Sequence, residues 1–223
     1  MKKLEIACFN LESALIAQKA GADRVELCDG IEVGGTTPNL ETVKEVRQIL
    51  TIDLFVMIRP RGGNFVYSGE EIEKMKKSIV EMKNVGVDGF VFGILNEDDL
   101  IHQQKNKELV ELAKPFPCTF HRAFDEVFDY EKALEDVIDC GFSTILTSGT
   151  KSNVIEGIQI LKQLVEKASN RITIMPGGGL RSSNSIELKK VLNTNFYHSS
   201  AITDKGEIVN YNEVTALKSA LNL

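Results

Sequence analysis

The chain has 223 residues, 43% of them hydrophobic, a formal net charge of −6 at pH 7 and a pI near 5.3. That size suits one domain with a large core. No run reaches the roughly 18 apolar residues of a membrane span, and an acidic balance without a Lys/Arg-rich block argues against nucleic acid as a partner. The start, Met1-Lys2-Lys3-Leu4, enters a strand-like segment without the apolar core of a leader peptide, and Cys8, Cys28, Cys118 and Cys140 have no CxxC spacing. A cytosolic chain with reduced thiols is expected.

Leu4 to Phe9 reads as a first strand, followed by a helix capped by Asn10 and stopped at Gly21. Arg24 to Asp29 is a second strand, and Thr37-Pro38 opens a second helix reaching about Leu50. Leu54 to Pro60 is a third, and the capping box Ser68-Gly69-Glu70-Glu71 starts a helix that ends before Gly86. Gly89 to Leu95 and Cys118 to Phe124 are the fourth and fifth strands, separated by a polar helix and followed by one from about Tyr130. Thr144 to Ser148, Ile172 to Met175 and Phe196 to Ser200 complete the strands, with helices capped near Asn153 and Asn184 and a last one from Asn212. Strict strand–helix alternation, with strands starting about 20 to 35 residues apart, predicts a single α/β domain, a (β/α)₈ TIM-like barrel.

In such barrels chemistry gathers where the strands end. Strand three closes on Arg59-Pro60-Arg61; two guanidinium groups two residues apart leave one face of an extended chain, and each offers a fork of donors to a carboxylate or phosphate. Glu5 and Glu26, early in strands one and two, are the expected partners of Arg59 and Arg61, in a buried ion network that holds them for a ligand. Strand five ends in His121-Arg122, with His121 in phase with Thr119 and Arg122 left to turn over the rim toward Asp125. Ser148 and His198-Ser199-Ser200 close strands six and eight. Gly177-Gly178-Gly179, after strand seven, leaves backbone amides free to approach an anion ahead of a helix N-terminus. His121 and His198 are the candidate acid–base groups; Arg59, Arg61, Glu5, Glu26, Arg122, Ser148 and the three glycines are the candidate binding residues.

Taken together, Gly21-Ala22-Asp23-Arg24-Val25-Glu26-Leu27-Cys28, Gly34-Gly35-Thr36-Thr37-Pro38, Met57 through Gly63, Phe120 through Asp125, Leu146-Thr147-Ser148-Gly149 and Met175 through Gly179 resemble the CutC family, historically called copper homeostasis proteins. The resemblance implies a TIM-like barrel in the cytosol, a role in copper handling, and Cu(I) binding at Cys8 and Cys28. Relatives often carry Arg where this chain has Ile202, which weakens the expectation of a positive group on the last loop. Parity bears on the copper site: Cys28 follows Glu26 inward, whereas three residues separate Glu5 from Cys8, which then faces outward unless the strand bulges. Two functions are therefore expected of one mouth. One is Cu(I) handling; the other is acid–base enzymology, of isomerase, lyase or hydrolase type, on a small phosphorylated or carboxylated metabolite. A homo-oligomer is expected, and a barrel serving only as an oligomer scaffold is a third reading.

Overall fold

The computed structural model describes residues 1–222. Eight parallel strands alternate with eight helices: β1 (Lys3–Cys8), α1 (Leu11–Lys19), β2 (Arg24–Leu27), α2 (Leu40–Ile49), β3 (Asp53–Met57), α3 (Gly69–Lys83), β4 (Gly89–Phe92), α4 (Gln103–Ala113), β5 (Cys118–Phe120), α5 (Tyr130–Asp139), β6 (Thr144–Thr147), α6 (Ile158–Ala168), β7 (Thr173–Pro176), α7 (Ser182–Val191), β8 (Phe196–Ser199) and α8 (Tyr211–Asn222). The ladder runs β7-β6-β5-β4-β3-β2-β1-β8, and β7 packs beside β8, so the sheet is a nearly closed barrel. The TIM-like fold expected from the alternation is the one observed.

Local chemistry explains most element starts. Asn10 and Ser68 cap α1 and α3 through side-chain oxygens, and Ser68 with Glu71 forms the expected capping box. Asn39 rather than Thr37 caps α2. Thr37 instead bonds the backbone of Arg59 on both sides, its Oγ accepting from the Arg59 amide and donating to the Arg59 carbonyl. That contact fixes the end of β3. Asn153 does not start α6: its side chain accepts from Ile155 and Glu156 in a turn ahead of the helix, which begins at Ile158.

Side chains divide by the period of two. Leu4, Ile6 and Cys8 of β1 point outward into the apolar layer shared with the helices, where Val43, Ile79, Leu109 and Leu164 are fully buried. A smaller inner cluster, Cys28, Phe55, Met57 and Val91 with Phe9 against it, fills part of the barrel. Gly89 keeps that interior open to the Phe55 ring, because a Cβ there would lie 2.4 Å from Phe55 Cζ. Glu5, Arg24, Glu26 and His198 add buried polar groups to the inner face.

Candidate functional site

The polar interior begins with register. Parallel pairing sets Glu5 beside Arg24 on one side and beside His198 on the other. Glu5 is fully buried, forms an ion pair with Arg24, and takes a 2.7 Å contact from His198 Nδ1. The Arg24 guanidinium is stacked between the Phe55 and Phe196 rings, 3.9 and 4.2 Å from their centroids. Burial works to raise the Glu5 pKa, but the charge of Arg24 and the bond from His198 prevail and hold it below the usual carboxylate range. Burial likewise works against a charged His198, yet the bond to Glu5 and the charges of Glu26 and Glu5 raise its pKa. His198 Nε2 then faces Glu26 Oε2 at 3.8 Å. Glu26 is buried, its Oε1 has no hydrogen-bond partner among the described residues, and burial pushes its pKa up to about 7. The chain Arg24–Glu5–His198–Glu26 therefore ends on a carboxyl group poised near neutral pH.

That carboxyl group opens on a cavity of about 280 Å³ at the strand ends, lined also by Cys28, Met57, Arg59, His121 and Arg181. Arg59 is 5% exposed. Its Nη atoms donate to the carbonyls of Val33, Gly35 and Gly63, while its Nε is buried without an acceptor among the described residues. Carbonyl oxygens satisfy donors but do not neutralise charge, and Arg59 has no carboxylate partner among the described residues. Phe65 lies over it at 4.7 Å and also packs on His121 at 4.9 Å.

His121 follows β5 and caps the short 3₁₀ turn Arg122–Glu126, its Nδ1 accepting from the Ala123 amide at 3.3 Å. Its Nε2 is buried with no partner among the described residues. Burial first, and the neighbouring Arg59 charge second, lower its pKa to about 3, so the ring is neutral. At the rim Arg122 lines the cavity while donating to Asp125 and Ser148.

Several expectations are corrected. Glu5 is held by Arg24, not by Arg59 or Arg61, because the β1–β2 register decides the partner. Arg61 does not share a face with Arg59: the chain bends after Pro60, and Arg61 pairs with Glu71 at 2.6 Å and donates to the carbonyls of Gly62, Asn64 and Val66. It shapes the loop that carries Phe65. Ser148 lies beneath the rim, bonded to Asp125, Arg122 and the Lys151 carbonyl, and does not line the cavity. Gly177 packs on Leu146 and His198, whereas Gly178 and Gly179 do face the cavity. Both take positive φ, and their amides, like that of Ser200, donate to no backbone acceptor among the described residues.

Sequence reasoning missed Arg181. It lines the cavity, donates to the Leu180 and Ile202 carbonyls and to Ser199 Oγ, and has no carboxylate partner among the described residues. It supplies from the seventh loop the positive group that Ile202 withholds from the eighth.

Cu(I) requires soft ligands, preferably thiolates. Cys8 sits in the outer apolar layer, with its thiol toward the Ile6 carbonyl, while Cys28 faces the cavity. Burial, then the charge of Glu26, drives both thiol pKa values well up, so both are protonated. The two do not fit a joint two-thiolate site in this fold. Glu5, Glu26 and His198 cluster tightly enough to ligate a metal, but Arg24 already occupies Glu5. Among the described residues no helix is long and apolar enough to cross a membrane.

Comparison with known proteins agrees with this architecture. The CutC family profile matches residues 2–203. The chain is 45% identical over 198 residues to the copper homeostasis protein cutC homolog of Homo sapiens, covering 89% of this chain and 72% of the human protein. It is 42% identical over 200 residues to a family protein CutC of Chromobacterium violaceum, covering 90% and 81%. The crystal structure of CutC from Streptococcus agalactiae superposes with a TM-score of 0.86 at 37% identity, covering 91% of this chain and all of that one. Phosphoribosylanthranilate isomerase from Thermotoga maritima shares the barrel at 14% identity and a TM-score of 0.64, covering 100% of this chain and 99% of that one, a likeness of fold alone. The chain belongs to the CutC family.

Proposed function

We propose that the barrel mouth binds a small phosphorylated or carboxylated metabolite and moves a proton on it, as an acid–base enzyme of the isomerase, lyase or hydrolase type. One observation carries this reading: two guanidinium groups without carboxylate partners, Arg59 and Arg181, share a cavity with a carboxyl group poised near neutral pH. Charges so placed favour an anionic guest. The free amides of Gly178, Gly179 and Ser200 add donors where barrels of this type hold phosphate. Glu26 is the general base or acid. A pKa of about 7 suits either role at physiological pH. His198, oriented by Glu5 and Arg24, steadies the charge on Glu26 as the proton leaves and returns. A cavity of about 280 Å³ limits the guest to a compact metabolite.

The test is a thermal-shift panel of phosphorylated and carboxylated metabolites against the wild-type chain, Arg59→Met and Arg181→Met. The reading expects several phosphorylated or carboxylated compounds to raise the Tm of the wild type and to lose that effect in both variants. If no anion shifts the wild type, the reading fails.

Copper handling is the second reading, favoured by the names of the relatives and by two soft groups on one wall. A Cβ added to Gly35 would lie 3.4 Å from Cys28 Sγ and 3.5 Å from Met57 Cε. In that reading Cu(I) is a cargo taken by Cys28 and Met57, with Cys8 outside the site.

A further inference from the structure

His121 is a buried titratable group at the cavity that the proton chain above does not use. Four features of its surroundings converge. Its Nδ1 is committed as an acceptor from the Ala123 amide, which places the ring proton on Nε2. That Nε2 is buried and has no hydrogen-bond partner among the described residues. The ring is held from two sides by Phe65 and Phe120, and Gly93 leaves it room, since a Cβ there would lie 2.8 Å from Nδ1. Burial first, and then the charge of Arg59, disfavours a second proton on the imidazole. A buried donor left unsatisfied costs free energy, and a catalytic role is one of the explanations such a group admits.

We infer that His121 is a catalytic residue of the proposed enzyme, a neutral electrophile whose Nε2–H bonds a carbonyl oxygen of the substrate, and that the substrate is a phosphorylated compound carrying a C–H bond adjacent to a ketone or aldehyde. The inference rests on the anion-pocket reading and deepens it. Glu26 takes the proton from the carbon next to the carbonyl. The C–H electron pair becomes the new C=C bond, the carbonyl π pair moves to oxygen, and the resulting enolate oxygen is held by Nε2–H. Return of the proton from Glu26 to the same carbon closes the cycle with no other reactant. Return to the former carbonyl carbon needs a hydroxyl on the carbon that lost the proton: its O–H proton passes to the enolate oxygen, and its own oxygen becomes the new carbonyl. A neutral imidazole serves this role better than an imidazolium, because its donor strength matches that of an enol, and barrel isomerases use the same device. The 3₁₀ cap on Nδ1 is what assigns the ring proton to Nε2.

Two measurements test it. First, long-range ¹H–¹⁵N correlation spectra of the wild-type chain at pH 7 should show His121 as the neutral Nε2–H tautomer; an Nδ1–H tautomer or an imidazolium overturns the inference. Second, calorimetric titration should compare phosphoglycolohydroxamate, a mimic of the enolate, with 2-phosphoglycolate and inorganic phosphate. The mimic should bind at least tenfold more tightly than 2-phosphoglycolate, and His121→Gln should remove that preference while changing phosphate affinity less than threefold. Phosphate binding with no preference for the mimic sinks the role of His121 and leaves the anion pocket standing. Failure of all three ligands to bind sinks both. If His121→Gln does not fold, the tautomer and the wild-type preference decide the matter.

Discussion

Replacing His121 with Gln tests the electrostatic description of the pocket through stability alone. In an unfolded chain the imidazole titrates near 6.5. In the folded chain, burial and the Arg59 charge bring it down to about 3. A depressed folded pKa means that the stabilising contribution is full above about pH 6.5 and is lost as the pH falls toward 3. At pH 5 the unfolded histidine is about 1.5 units below its own pKa, and at about 1.36 kcal/mol per unit the loss is about 2 kcal/mol. Glu26 acts in the opposite sense. Its folded pKa, raised to about 7, gives stability that is present below the unfolded value and lost as the pH rises through 7. Between about pH 4.5 and 6.5 the two offset each other, and the wild-type profile alone is shallow. The difference between wild type and His121→Gln cancels Glu26. The variant loses ring packing on Phe65 and Phe120 and is less stable at pH 7.5. Urea unfolding at pH 7.5 and pH 5 should show that deficit shrink by about 2 kcal/mol at the lower pH. A deficit equal at both pH values would mean that His121 is not held neutral, and the reasoning about Arg59 and burial would fail with it.

Other outcomes follow from the same geometry. Arg24→Met leaves Glu5 buried against His198 alone and should lower stability by about 3–5 kcal/mol, measured by chemical denaturation. Arg61→Ala should lower the Tm by loosening the loop over Tyr67 and Phe65 while keeping part of the anion response in the thermal-shift panel, whereas Arg59→Met should abolish that response. Gly178→Ala forces φ of +99° on a residue with a Cβ and sets that atom 3.0 Å from Arg122 Cζ; a cost of about 1 kcal/mol or more in urea, with weakened phosphate binding, is expected. In competition titrations with a Cu(I) chelator, Cys28→Ser should lose any Cu(I) binding and Cys8→Ser should keep it. The reverse result would mean that β1 rearranges to turn Cys8 inward.

The barrel was legible in the sequence because strands and helices alternate without exception and the apolar runs obey their periods. The same period of two correctly sent Cys28 inward and Cys8 outward, a result that depends only on counting along a strand. Partner choice was less legible. Glu5 meets Arg24 through the stagger of β1 on β2, and no pattern along one chain encodes a stagger. The pairing of Arg59 with Arg61 assumed an extended chain, which Pro60 and the following bend break. Arg181 was passed over because it follows a glycine run in a loop, where no periodicity reports the direction of a side chain. Its signal lay in the composition of the rim: position 202 lacks a cation, and Arg181 of the preceding loop donates to the Ile202 carbonyl.

The most direct test of the central claim is a crystal structure grown or soaked with 2-phosphoglycolate at near-neutral pH. The account predicts the phosphate group against the amides of Gly178, Gly179 and Ser200 within reach of Arg181, and the carboxylate turned inward toward Arg59 and Glu26. A mouth that stays free of the ligand, or a ligand held elsewhere on the barrel, would contradict it.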